Sequence, residues 1–157
     1  MGIHHTVEDK YCYSKIAGTM LETFPEIQER YTKEIHWISE TFKGNDTGGQ
    51  SLYFDRCFCD FLGRLLTAEK PDNGQLERVF DFLEDMASSD DVNVRDLLQI
   101  TVLEYLRSWD ILQRISEGLM LPETKKIFHK VKQYLGEPPQ GEIPYFAPLE
   151  SEVKNEA

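Results

Sequence analysis

The stretch DFLEDMASSDDVNVRDLLQITVLEYL, residues 81–106, decides the fold. Its first half places Leu83, Met86 and Ala87 on one side of a helix and Asp81, Glu84 and Asp85 on the other. SSDD, residues 88–91, then reads as a short corner whose Asp90 and Asp91 can cap the next helix and sit at its positive end. Val94, Leu97, Leu98, Ile100, Val102, Leu103, Tyr105 and Leu106 follow in too many directions for a helix with a wet side. A helix that is apolar all round is buried, so this one is expected at the centre of the molecule. Together the two halves read as an antiparallel, HEAT-like helix pair, with no second copy at a fixed period.

The same reading extends outward. Upstream, Leu76, Val79 and Phe80 continue the apolar face of the first helix of the pair, and KPDNG, residues 70–74, ends the element before it. That earlier element, SLYFDRCFCDFLGRLLTAE, carries Phe54, Phe58, Phe61, Leu62 and Leu65 as an apolar stripe. Its segment QSLYFDRCFCDF also alternates weakly, which leaves a strand open there. KGNDTGGQS, residues 43–51, is a loop of turn formers. Before it, FPEIQERYTKEIHWISETF starts a helix with Pro25 at its first position and aligns Ile27, Tyr31, Ile35 and Ile38. YSKIAGTMLETF supplies Ile16, Met20, Leu21 and Phe24. Downstream come a short helix in RSWDILQRISEG and a longer one, LPETKKIFHKVKQYLG, with Pro122 at its start and Gly136 as its stop. The expected fold is all-α, a compact domain of about six to seven helices over residues 1–136. Residues 137–157 then form a Pro-rich extended segment, docked through Tyr145 and Phe146, and a frayed tail.

A chain of 157 residues buries roughly 68–70% of its unfolded surface as one domain, and 40% hydrophobic with 29% charged residues is ordinary for a globular protein. No disulfide or metal is needed to hold it. No apolar run approaches a membrane span and MGIHHTVEDKYC has no secretory apolar region, so the expected location is the cytoplasm, with no membrane partner. Cys12, Cys57 and Cys59 read as reduced thiols without zinc-ligand spacing beside them. MGIHHT fits the myristoylation pattern formally, but chance explains so short a match, and no basic patch supports it.

Little in the chain points to catalysis. It has no glycine-rich phosphate loop, no G-x-S-x-G and no H-E-x-x-H. His4 and His5 lie at the N-terminus, His36 sits at i,i+4 from Glu40 on a helix, and His129 lies among lysines. Glu84 with Asp85, and Asp90 with Asp91, are the one carboxylate arrangement a metal-dependent hydrolase would use. Their corner lacks the spacing of a calcium loop. No cofactor and no metal are expected.

The acidic residues carry more information. Seventeen basic against 28 acidic residues give a net charge of -11, which opposes binding to nucleic acid and suits a basic partner. Glu77, Asp81, Glu84 and Asp85 fall at i, i+4, i+7 and i+8, opposite the apolar face, and Asp90 and Asp91 extend the stripe. Two i,i+4 like-charge pairs cost about 0.2–0.5 kcal/mol each. A solvated outer face explains such a stripe without function. A docking surface for a cationic partner explains it as repulsion relieved on binding. Trp37, Tyr53 and Trp109 are candidate aromatic anchors, each also readable as partly core.

FPEIQERYTKEIHW, VFDFLEDMASSDDVNVRDLLQITVLEYL and LPETKKIFHKVKQYLG, in that order, resemble a family of small, acidic, helical bacterial proteins of unknown function. Its members look like immunity proteins of polymorphic and contact-dependent toxin systems. The resemblance implies a cytoplasmic protein that binds a cognate toxin domain, often a nuclease, and blocks its active site. The expected contact residues are then Glu77, Asp81, Glu84, Asp85, Asp90 and Asp91, with Trp37, Tyr53 and Trp109. The alternatives are a helical adaptor or scaffold without a toxin partner, and the metal-dependent hydrolase.

Overall fold

The computed structural model describes residues 10–45 and 48–149, and these form eight helices with no strand among the described residues. They are α1 (Ile16–Thr23), α2 (Pro25–Arg30), α3 (Thr32–Thr41), α4 (50–67), α5 (Asn73–Ala87), α6 (92–107), α7 (Asp110–Glu117) and α8 (Pro122–Leu135). None of them is long and apolar enough to cross a membrane. His4, His5, Gly2 and the end of the C-terminal tail lie outside the described residues.

Where the sequence reads one helix over FPEIQERYTKEIHWISETF, the chain bends at Tyr31 (φ −120°, ψ 35°) and makes two, α2 and α3. The bend sacrifices little. Tyr31 N still donates to the Ile27 carbonyl at 3.0 Å, and Ile35 N to that of Tyr31 at 2.9 Å. The buried Tyr31 side chain gains a hydrogen bond, its hydroxyl donating to Asp60 Oδ2 at 2.7 Å.

The core is one cluster that every helix but α3 enters with fully buried side chains, α3 adding a half-buried Ile35. Its aromatic centre is Phe82, which the hydrophobic stripe of α5 does not single out. Its ring meets Phe24 edge-on at 5.3 Å, Phe58 and Tyr11 at 5.8 Å, and stacks on Phe54 at 6.3 Å. Leu76, Val79, Phe80, Leu83, Met86 and Ala87 are buried as their spacing predicts.

Two of the helices widen into π-helical turns that pack on one another, Tyr53–Phe58 within α4 and Leu98–Leu103 within α6. The segment left open as a strand is therefore helical. Its weak alternation belongs to a wide turn that buries Phe54, Cys57 and Phe58. In α6 the structure corrects the expectation of all-round burial. Hydrogen bonding from i to i+5 adds a residue to the turn, so later side chains lag behind α-helical spacing. Val94, Leu98, Val102, Leu103 and Leu106 all stay in the core, and Ile100 is left 59% exposed.

After α8, Gly136 (φ +72°) stops the helix as expected, and residues 137–149 run without regular structure. This strap docks through Pro138, Pro144 and Phe146, whereas Tyr145 stands 82% exposed and does not dock. Phe146 lies under the Arg64 guanidinium, and Arg64 also donates to the Ala147 carbonyl. The strap can come this close because residue 63 is glycine: a Cβ there would stand 2.2 Å from Tyr105 Oη and 2.8 Å from the Phe146 ring.

Candidate protein-docking surface

Helix α5 is capped by Asp72, whose Oδ1 accepts from Gln75 N at 3.1 Å, and the burial of Leu76, Val79, Leu83 and Met86 decides which side of the helix faces out. Glu77, Asp81 and Asp85 lie on that outer side, and Asp90 is exposed at the corner beyond. Among the described residues none of these four forms an ion pair. The basic residues nearest in sequence are committed elsewhere. Arg78 reaches to Glu26 Oε2 at 3.2 Å and to the Thr23 carbonyl at 3.1 Å, and Arg95 donates to the Ser89 carbonyl. Asp85 accepts from the Tyr11 hydroxyl at 3.0 Å, which leaves its charge in place.

Glu84 departs from this group. It is only part-exposed, and its carboxylate closes the N-terminus of α8: Oε2 accepts from Glu123 N, and Oε1 from Thr124 N and Thr124 Oγ1, all at 2.9 Å. The residue at the N-cap position of α8 is Leu121, which cannot cap, so a neighbouring helix supplies the acceptor. Asp91 likewise has a structural task. Its Oδ1 accepts from Asn93 N at 2.9 Å as the cap of α6, and its Oδ2 from Tyr13 N at 2.8 Å. Of the two corner aspartates, Asp91 is the one that caps. A shared metal would need Asp91 to release both bonds, and the described residues contain no group of three or more side chains placed to hold a metal ion.

Glu77 and Asp81 rim a groove of about 310 Å³ between α5 and the α7–α8 turn. Leu76 and Phe80 form its floor, and the exposed Leu119 and Leu121 its far wall. This is an apolar slot with two uncompensated negative charges on its edge. Trp37, Tyr53 and Trp109 do not line it. Trp37 is 46% exposed on α3 with the Arg56 guanidinium 4.7 Å from its ring centre, Tyr53 is half-buried where α4 widens, and Trp109 is half-buried ahead of α7.

Cys57 and Cys59 are buried, and desolvation pushes both thiols up, Cys57 to about 12. Cys59 Sγ donates to the Thr101 carbonyl at 3.5 Å and so ties α4, just past its π-helical turn, to the wide turn of α6. Thiols of this kind stay protonated and are poor nucleophiles.

A second groove, of about 530 Å³, lies where α6, the start of α4 and Tyr13 meet. The sequence reading missed it, because Ile100 was assigned to the core. The pattern that marks it is Asn93, Asp96, Leu97 and Ile100 at i, i+3, i+4 and i+7, one side of α6, with the exposed Val92 next to it.

A family model described as Domain of unknown function (DUF7674) matches residues 17–136. The chain belongs to this family. The matched span runs from α1 to the glycine that stops α8, and it holds both grooves apart from Tyr13. No curated protein and no solved structure matches the chain significantly.

Proposed function

We propose that this protein is an immunity protein, which binds a cognate bacterial toxin domain and neutralises it by covering its active site with an acidic surface. The observation that carries the reading is the exposed series Glu77, Asp81, Asp85 and Asp90, with no basic side chain of its own paired to it among the described residues. Like charges at i,i+4 on α5 are tolerated at a small cost, and a cationic partner reverses that cost on binding. A nuclease fits this partner, because an enzyme that grips phosphates presents a basic cleft. The resemblance of the chain to toxin-system immunity proteins supports the same reading. The contact set is narrower than the sequence suggests: Glu84 and Asp91 brace the fold, which leaves Glu77, Asp81, Asp85 and Asp90 to face the partner.

The direct test is protection. Cells expressing the toxin domain encoded beside this protein's gene are expected to survive when the protein is co-expressed. They are expected to lose that survival when Glu77 and Asp81 are both changed to Lys. Death of the cells despite soluble, folded protein would overturn the reading.

A further inference from the structure

The α6 groove has features that the acidic stripe of α5 lacks. Val92 and Ile100 are large aliphatic side chains, 53% and 59% exposed, two turns apart on one line. Leu97 lies between them at the floor. Exposed apolar residues placed singly need no explanation, but here Ile100 stands exposed over a groove that also holds Leu97 and Tyr13, and apolar surface gathered at a groove marks an interaction site. Asp96 stands between Val92 and Ile100, exposed and without an ion pair among the described residues. Asp90 and Asp91 lie at the foot of the line, and Arg95, the one cation of that stretch, points its guanidinium at the Ser89 carbonyl.

The walls of this groove are braced. Asp91 holds Asn93 N on one wall and Tyr13 N on the other, at 2.9 and 2.8 Å. Gln50, next to Ser51 of the groove wall, accepts from Ala17 N at 2.9 Å and donates to the Ser14 carbonyl at 3.3 Å. A preformed apolar slot loses little conformational freedom on binding, which favours affinity.

We infer that this groove is the docking site for a cationic segment of the protein partner with an aliphatic or aromatic tip: the tip packs on Leu97 and Ile100 in the groove, with the exposed Val92 as its apolar neighbour beyond the edge, and a Lys or Arg beside it pairs with Asp96. The inference rests on the reading of the chain as a binder of a basic protein domain, and adds to it the apolar anchor. The charge at the groove selects the occupant. An anionic peptide or an anionic membrane surface meets Asp90, Asp91 and Asp96 and is repelled.

The test uses the full chain and two synthetic amphipathic peptides, one of leucine and arginine and one of leucine and glutamate. Amide NMR shifts on titrating the arginine peptide are expected to concentrate at Tyr13, Asn93, Asp96, Leu97 and Ile100. The double change Val92→Ser/Ile100→Ser is expected to weaken binding about tenfold or more, through lost apolar burial, with an unchanged circular-dichroism spectrum. Asp96→Asn is expected to flatten the salt dependence. Shifts confined to the Glu77–Asp81 groove, or equal binding of the glutamate peptide, would overturn the assignment. So would a dimer in sedimentation velocity that the double serine change dissolves, since the occupant would then be a second copy of the chain. The protection assay separates the two readings. If the native chain protects and V92S/I100S protects equally, this groove is wrong and the immunity reading stands. If the native chain fails to protect while the arginine peptide maps here, the immunity reading falls and the groove stands.

Discussion

Glu84 sits among surface carboxylates in the sequence and acts as a helix cap in the fold. Removing it strands two backbone N–H groups of the first turn of α8 and the hydroxyl of the fully buried Thr124. Losing a cap costs about 0.5–2 kcal/mol, and hydrogen bonds to a charged group contribute about 1.5–3 kcal/mol. Glu84→Ala is therefore expected to destabilise the domain by about 2–3 kcal/mol in urea unfolding, and Glu84→Gln by less. Glu77→Ala, one face away, is expected to stay within about 0.5 kcal/mol of the native chain. Glu26 gives a second test at this scale. Burial tends to raise its carboxyl, yet hydrogen bonds from its own backbone N–H, Gln75 and Arg78 outweigh that and hold it below the usual carboxylate range. A depressed native pKa contributes stability that is complete above the unfolded value near 4.5 and is lost as pH falls through the lower native one. The midpoint of unfolding should thus fall less steeply on acidification in Glu26→Gln than in the native chain, below about pH 4.5. Parallel pH profiles would assign the acid sensitivity to other carboxylates.

At the scale of helices, the decisive feature is the wide turn over Leu98–Leu103. Leu98 and Ile100 are two residues apart and chemically alike, yet one is fully buried and the other faces water. Leu98→Ala is expected to cost about 2–5 kcal/mol, as core truncations do, whereas Ile100→Ser is expected to cost about 0.5 kcal/mol or less. Equal losses at the two positions would mean that Ile100 is as buried as Leu98 and does not face water. The same turn shows what the sequence conveys and what it does not. Apolar spacing locates α1, α5, α8 and the buried sides of α2–α4, because there burial follows the α-helical period. It fails at Ile100, since a run apolar in every direction carries no mark of which side faces water. Glu84 is hidden for a related reason: its partners lie 39 and 40 residues away, and the one local hint is Leu121 at an N-cap position that it cannot fill. Phe82, flanked by Asp81, is read as peripheral from α5 alone and becomes central only when Phe24, Phe54 and Phe58 from α1 and α4 converge on it.

For the molecule as a whole, the distribution of charge matters more than its net value. Most ionic side chains of α2–α4 and α7–α8 are paired within the chain, as in Arg56 with Glu34, Arg64 with Asp60 and Lys132 with Glu117. Among the described residues the outer side of α5 and the start of α6 keep carboxylates without ion-pair partners, so an approaching cation meets uncompensated negative charge there. Fields of this kind act chiefly on encounter, speeding association at low salt and fading as the Debye length shrinks to about 8 Å at physiological ionic strength. Changing Glu77 and Asp81 to Lys alters exposed positions only, keeps a like-charge pair at 77/81 and turns the repulsion between positions 81 and 85 into an attraction. Helical circular dichroism and the unfolding midpoint are therefore expected to hold or rise slightly. Association with a basic toxin domain, followed by stopped flow, is expected to slow about tenfold or more at low salt, and the two rates should converge as salt is raised. The dissociation rate is expected to change less, because the apolar contact assigned to α6 is untouched. A slower association that persists at high salt would show that Glu77 and Asp81 make direct contacts instead of supplying the field.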